Sequence, residues 1–333
     1  MKNVEMKRVL VTGGTGFIGS HVVELLLQAG YTVTCLVRDP NRLQWLSGLD
    51  VDIAVGDCSR PETLTLALQD ASIVIHAAGL TKARRPQDYY EVNHIGTRNM
   101  LQVWKRCNAN SGKFILISSL AAAGPSKDGN PVRSSDVSYP VSDYGKSKLL
   151  AEEETLRYRD MFPVIILRPA VVYGPRDKDL FTLFRWAVRG ISPEISGGER
   201  FLNFCYVADL AKAILLATEN RTQRGGIYFV AENRPYSWAG FRQALLTTGE
   251  IQARTIKIPY GLAYLTGLAA ELGSLLTSRP ALTNRQKIWE AAQQYWICDL
   301  DSVEKEFGFK ADYSLLEGLK LTWRWYRDNN WLS

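Results

Sequence analysis

Histidine is scarce in this chain, three in 333 residues. None stands at a ligand-like spacing, so no metal site is expected. Cysteine is sparse too. Cys35, Cys58, Cys107, Cys205 and Cys298 are scattered, with no C-x-x-C pair. That argues against a disulfide framework and for a reducing compartment, so a cytoplasmic location is expected. No block of five or more Lys/Arg occurs, so the net charge of +6 does not read as nucleic-acid binding. A solvated basic surface explains that excess; an anionic cofactor or an anionic membrane surface would also suit it. The start of the chain, with Glu5 and Lys7, lacks the apolar run of a signal peptide. Repeats and low-complexity linkers are absent. What remains is ordinary globular composition, 46% hydrophobic and 22% charged. The length suits one large α/β domain with a smaller lobe.

The most informative stretch that is present runs from Val9 to Ser20. It reads as a buried strand, a glycine-rich turn and a helix. Gly13, Gly16 and Gly19 give G-x-x-G-x-x-G spacing. A turn this tight needs positive φ or close backbone approach, both cheap only for glycine. The following helix N-terminus offers free N–H groups and a positive dipole end to a pyrophosphate. This is the physics of a dinucleotide site. No Gly-Lys-Ser/Thr follows, which disfavours a P-loop. A plain glycine turn at a strand–helix junction is the competing reading.

Strands are predicted at Val9–Thr12, Thr32–Val37, Val51–Val55, Ile73–His76, Phe114–Ser118, Val164–Arg168 and Gly226–Val230. Helices are predicted at Phe17–Gly30, from about Tyr89 to Cys107, at Asp143–Arg159 and at Val207–Glu219. Short apolar runs spaced by helices imply parallel strands with right-handed crossovers. The expected fold is α/β, a Rossmann-type doubly wound parallel sheet with a smaller, mostly helical C-terminal substrate lobe. Residues 5–177 plus 203–231 are assigned to the dinucleotide-binding domain, and 178–202 plus 232–333 to the lobe.

Tyr144 and Lys148 stand four apart on a predicted helix and share a face. An ammonium near a phenol favours the phenolate and lowers its pKa. The tyrosine can then exchange a proton with an alcohol or carbonyl oxygen. Tyr-x-x-x-Lys is common by chance, and a surface helix pair is the bland alternative. Its order after the glycine turn and after Ser118 and Ser119 raises its weight.

Together with Gly56-Asp57, His76 to Gly79, Asn93 to Thr97, Arg168-Pro169, Tyr173 to Pro175 and Tyr206 to Asp209, these pieces resemble an extended short-chain dehydrogenase/reductase of the NAD-dependent epimerase/dehydratase superfamily. The resemblance implies Tyr144 as general acid/base, Lys148 as its electrostatic partner and ribose ligand, and Ser119 as the substrate-orienting hydroxyl. It implies a cofactor site built from Gly13, Thr15, Gly16, Phe17, Ile18, Gly19, Asp57, Cys58, Ala77, Ala78, Gly79, Asn93, Ser118, Tyr144, Lys148, Pro169 and Val171. Thr81, Ser119, Tyr173 and Leu202 are expected toward the substrate. A homodimer is expected by resemblance only.

At the end of strand two an acid would bind the ribose hydroxyls of NAD. Val37 and Arg38 stand there instead. A guanidinium suits a 2′-phosphate, with Arg42 close by, so NADP(H) is preferred and NAD(H) comes second. An exposed Arg38 with no ligand is the bland alternative.

For the small-molecule substrate, two branches compete. Sugar-nucleotide enzymes of this kind place an arginine seven residues before the aspartate at 209; here that position is Leu202, with Arg200 nearby. The C-terminal part is similar to the 3β-hydroxysteroid and sterol-4α-carboxylate dehydrogenase branch. Ile258 to Leu276 is almost uninterrupted apolar sequence, followed by the run from Arg279 to Arg285 and an aromatic tail with Trp323, Trp325 and Trp331. The apolar segment reads first as a buried helix or substrate lid, and second as peripheral membrane contact. The aromatic tail reads as packing. The expected reaction moves a hydride between nicotinamide C4 and the carbinol carbon of an apolar, steroid- or lipid-like substrate. A sugar-nucleotide epimerase or dehydratase is the alternative, and a non-catalytic NADP-sensing protein the second.

Overall fold

The computed structural model describes residues 8–107, 112–220, 225–275 and 284–332. Glu5, Lys7, Leu276 and the stretch from Arg279 to Thr283 lie outside the described residues.

Seven strands form the central sheet: β1 (Arg8–Thr12), β2 (Thr32–Val37), β3 (Asp52–Val55), β4 (Ile73–His76), β5 (Lys113–Ile117), β6 (Val164–Pro169) and β7 (Gly226–Val230). Their order is β7-β6-β5-β4-β1-β2-β3, parallel throughout. The chain builds outward from β1 to β3, then returns to place β4 on the other side of β1. The carboxyl ends of β1 and β4 therefore flank a topological switch point, where open α/β sheets bind ligands. Thr12 and His76 are register partners there.

Side chains alternate across each strand, so both sheet faces are covered. Val9, Val11, Ile75, Ile115 and Leu167 pack on one face with Val23 and Leu26 of the helix Phe17–Gln28 and Ile214 of Val207–Glu219. Leu10, Val74, Phe114 and Ile166 pack on the other with Met100, Trp104 and Ala151.

Predicted and observed elements agree to within a few residues, with one informative exception. The helix expected from Tyr89 begins at Pro86, and between Tyr90 and Ile95 it winds as a π-helix before continuing as Gly96–Cys107.

A third core is built on aromatics. Tyr173, Phe184, Phe204, Tyr206, Phe241, Trp323 and Tyr326 are its buried rings. The helix Leu315–Asp328 that carries two of them starts with a capping box, Ser314 with Glu317. The second half also holds short strands that the sequence did not announce. Phe201–Leu202 pairs with Tyr236–Ser237 and Tyr295–Trp296, and Ile191–Ile195 pairs with Arg254–Ile258. The helix Asp301–Phe307 packs back on the sheet, with Phe307 4.7 Å from the Tyr228 ring.

Candidate active site

The glycine turn leaves β1 at Gly13, whose φ is +74°. A Cβ there would lie 2.8 Å from the backbone of Ala77 and Ala78, and one at Gly19 would lie 2.2 Å from the Gly13 carbonyl oxygen. Only hydrogen fits at either position, so the turn, the helix and the loop after β4 close on one another. The helix starts at Gly16 with no side-chain cap and no acid in its first turn. Its first N–H groups are thus left to an anion. These features fit a dinucleotide pyrophosphate.

The loop after β4 is held by a relay of small polar groups. Ala78 N donates to Thr12 Oγ1 at 3.1 Å, and Thr12 Oγ1 lies 2.7 Å from His76 Nδ1. His76 Nε2 lies 3.1 Å from Thr97 Oγ1, which donates to the Asn93 carbonyl at 2.6 Å. Thr97 has already given its proton, so Nε2 carries the histidine hydrogen and Nδ1 accepts from Thr12. Burial, with the Lys148 charge second, pushes the His76 pKa down to about 3 and keeps the ring neutral. Asn93, on the π-helical turn, accepts from Leu80 N at 2.7 Å and donates to Leu80 O at 3.1 Å and Ser147 Oγ at 2.9 Å. Its side chain braces the Ala77–Leu80 loop against the helix of Tyr144.

Arg38 is exposed one residue beyond β2. It faces Asp57, where burial pushes the carboxyl up but Ser59 hydrogen bonds and the charges of Arg38 and Arg60 outweigh it, leaving the pKa below the usual carboxylate value. Asp39 pairs instead with Arg42 at 3.3 Å. Cys58 lies next to Asp57, half-buried, with its thiol pushed up to about 12 by burial.

The helix Asp143–Leu156 carries the pair Tyr144 and Lys148. Ser142 caps it, accepting from Gly145 N at 3.0 Å. Tyr144 is half-buried and hydrogen-bonded to Ser119. Ser119 also accepts from Ala121 N at 3.1 Å, as the cap of the short helix Leu120–Ala123. Lys148 is 5% exposed and donates to the Ile117 carbonyl at 2.6 Å. Burial, partly opposed by Glu152, lowers its pKa to about 8.

Two of the expected residues have engagements the sequence did not announce. Burial raises the Tyr144 pKa above its usual value, while the charge of Lys287 and the Ser119 hydrogen bond pull it down. Ser118, expected at the cofactor, gives its hydroxyl to Glu152. Glu152 is in turn clamped by Arg168, Nε at 2.9 Å and Nη2 at 2.6 Å, pinning the helix to β6.

The model of the NAD dependent epimerase/dehydratase family matches residues 9–231. The chain belongs to that family. Among curated relatives, a ceramide reductase of Caulobacter vibrioides is 30% identical over 97% of this chain and 96% of its own. The sterol-4-alpha-carboxylate 3-dehydrogenase (decarboxylating) of Mus musculus is 27% identical, over 95% and 90%. Among solved structures, the UDP-glucose 4-epimerase of Thermotoga maritima superposes with a TM-score of 0.81 at 22% identity, over 97% and 99%. At that identity the likeness is one of fold. This member of the epimerase/dehydratase family is an enzyme with a nicotinamide-type cofactor site and a small-molecule substrate.

Within the family frame, the expected substrate residues separate. Thr81 is exposed on the loop beside the active site, and its carbonyl lies 3.4 Å from the Tyr89 hydroxyl. Tyr173 and Leu202 both pack on the aromatic core. Tyr173 is 2% exposed, packed on Phe204 and Tyr206 with its hydroxyl toward Leu315 O. Leu202 packs against the aromatic core from its short strand. Pro169 ends β6, and Val171 pairs with Phe204 beside it. Arg200, weighed as a diphosphate clamp, bonds its own loop through Ile195 O at 2.7 Å and Ser196 O at 3.3 Å. Asp209 of the Tyr206–Asp209 motif accepts from Asp312 N and Tyr313 N, tying down the C-terminal segment.

The sequence did not single out the residues of a cavity that meets the surroundings of Tyr144 at Tyr89. This cavity of about 360 Å³ is lined by Tyr89, Tyr260, Tyr264 and Trp289, with Arg84, Arg285 and Glu271 at its polar parts. The Tyr89 ring lies 6.0 Å from that of Tyr144. The helix Tyr260–Leu275 lines this cavity with Tyr260, Tyr264 and Glu271 and turns Leu262, Leu265 and Leu272 to solvent, each more than half exposed. Among the described residues no helix is long and apolar enough to cross a membrane. Trp323 is buried, and Trp325 and Trp331 pack on the aromatic core.

Proposed function

We propose that the protein is an NAD(P)-dependent oxidoreductase acting on a secondary alcohol or ketone of an apolar, lipid-like substrate, with NADP(H) preferred. The nicotinamide, when bound, supplies or takes up the hydride. Tyr144 exchanges the proton with the substrate oxygen, Ser119 orients that oxygen, and Lys148 holds the ribose side of the site. The aromatic cavity beside Tyr144 carries this reading: its Tyr89, Tyr260, Tyr264 and Trp289 walls suit an apolar body. The engagement of Arg200 with its own loop argues against a sugar nucleotide, which needs a cation on its diphosphate. The printed names of the relatives, a ceramide and a sterol-carboxylate enzyme, support a lipid class. Arg38 at the β2 end supports a 2′-phosphate.

The same reading gives the exposed leucines of Tyr260–Leu275 a peripheral contact with a membrane surface. It keeps the chain in the cytoplasm, on its unpaired cysteines, and a homodimer on resemblance. The deciding experiment offers purified protein oxidised and reduced cofactors with long-chain 3-hydroxy and 3-oxo lipids on one side and UDP-sugars on the other. Cofactor-coupled turnover of the lipids is expected. Turnover of a UDP-sugar alone would overturn the reading.

A further inference from the structure

We propose that Lys287 is a positioning residue for Tyr144: the substrate lobe carries a second ammonium over the tyrosine ring, and its pairing with Glu290 sets how readily that phenol ionises. Lys287 Nζ lies 4.9 Å from the centre of the Tyr144 ring and 2.9 Å from Glu290 Oε2. It sits on the helix Arg285–Ala292, whose first turn Asn284 caps by accepting from Lys287 N at 2.8 Å.

That helix is locked onto the start of the tyrosine helix. Ser142 hydrogen-bonds Glu290, Asp143 N donates to Gln286 Oε1 at 2.7 Å, and Gln286 also bonds the Asp143 carboxylate. The interlock holds the ammonium in place, so its charge acts through a fixed geometry. Lys148, one turn along from Tyr144, is committed to the Ile117 carbonyl. Tyr89, with ring centres 6.0 Å apart, and Ser119 also act on the phenol.

A cation over an aromatic face favours extra electron density on the ring. It favours a phenolate more than a phenol. Glu290 opposes it, so the pair works as a two-part control. Both members belong to the lobe, which makes the ionisation of Tyr144 depend on how the lobe seats. The catalytic meaning of this control rests on the acid–base reading of Tyr144; the ionisation itself does not.

A fluorotyrosine installed at position 144 of the full chain and followed by fluorine NMR reads that ionisation without substrate. Lys287→Met should raise the midpoint by about one pH unit. Lys287→Arg, which keeps the charge, should leave it within a few tenths. Glu290→Gln keeps an acceptor for Ser142 and removes the opposing charge, so it should lower the midpoint. The proposal is overturned by an unchanged midpoint in Lys287→Met, or by an equal rise in Met and Arg. Should Lys287→Met not fold, Glu290→Gln decides: an unchanged or raised midpoint overturns it. If these shifts appear while Tyr144→Phe still turns over, the coupling stands and the acid–base reading falls.

Discussion

Asn93 grips both backbone groups of Leu80, accepting from its N–H at 2.7 Å and donating to its carbonyl at 3.1 Å. A third bond, to Ser147 Oγ at 2.9 Å, carries the grip to the helix of Tyr144. One buried amide thus ties the loop at the sheet's switch point to the helix that carries Tyr144.

Asn93→Ala should therefore leave two part-buried backbone groups of Leu80 without this partner and cost roughly 1–3 kcal/mol of stability. Cofactor affinity should fall with it. Urea denaturation and fluorescence titration with NADPH check the two effects. An unchanged affinity would restrict Asn93 to folding alone.

His76 gives a pH prediction. Its pKa in the fold is about 3, against about 6.5 when unfolded. As pH falls, the unfolded chain takes up the proton first. The contribution is complete above about pH 6.5 and is lost progressively toward about pH 3. The loss from this one ring is on the order of 5 kcal/mol. His76→Gln should be less stable than the parent at neutral pH yet lose less on acidification. Urea midpoints at neutral pH and near pH 4 would test it; equal acid sensitivity refutes the assignment.

Lys148 predicts a slope of the same sign at higher pH. Its folded pKa of about 8 lies below the unfolded value of about 10.4. Between those values the unfolded chain holds the extra proton, so stability rises with pH across the window. The gain is roughly 3 kcal/mol. Lys148→Met should lack it, being relatively most favoured below about pH 8. Parallel stability curves for the two proteins would sink this prediction.

Arg38 should decide the cofactor. Arg38→Ala removes a charge-assisted contact to a 2′-phosphate, worth ~1.5–3 kcal/mol or roughly 10–150-fold in affinity. NADPH binding should weaken by that factor while NADH binding stays level. A matched loss for both would show that Arg38 does not read the phosphate.

Tyr144→Phe removes the hydroxyl to which the proposed function gives the proton transfer, but keeps the ring. Turnover should drop by at least ~100-fold, with cofactor affinity nearly retained. Stopped-flow turnover alongside cofactor titration checks both.

Much of this was legible in the sequence, because the sheet obeys local rules. Apolar runs of strand length, the glycines at 13, 16 and 19, and the Tyr144–Lys148 spacing each declare their structure within a few residues. The electrostatics of the site did not follow from spacing. Lys148 shares a face with Tyr144, yet its reach ends on the Ile117 carbonyl. Lys287 stands in a polar stretch with no motif, and only the docking of two helices brings it over the ring. Tyr173 misled for the same reason. Its motif is real, but the aromatic core formed by distant residues claims its side chain. The short strands around Phe201–Leu202 have two residues each, too few to leave a periodic trace.

The wide turn between Tyr90 and Ile95 has one further consequence. It inserts an extra residue into the winding, so the helix before it and the helix after it are out of phase by roughly a quarter to a third of a rotation. Deleting a single residue there would heal the winding and make the helix more regular. It would also swing the amide of Asn93 away from Leu80. Evolutionary tinkering or protein engineering that tidies this irregularity would loosen the nucleotide's doorway, so the irregular coil is the feature to leave alone.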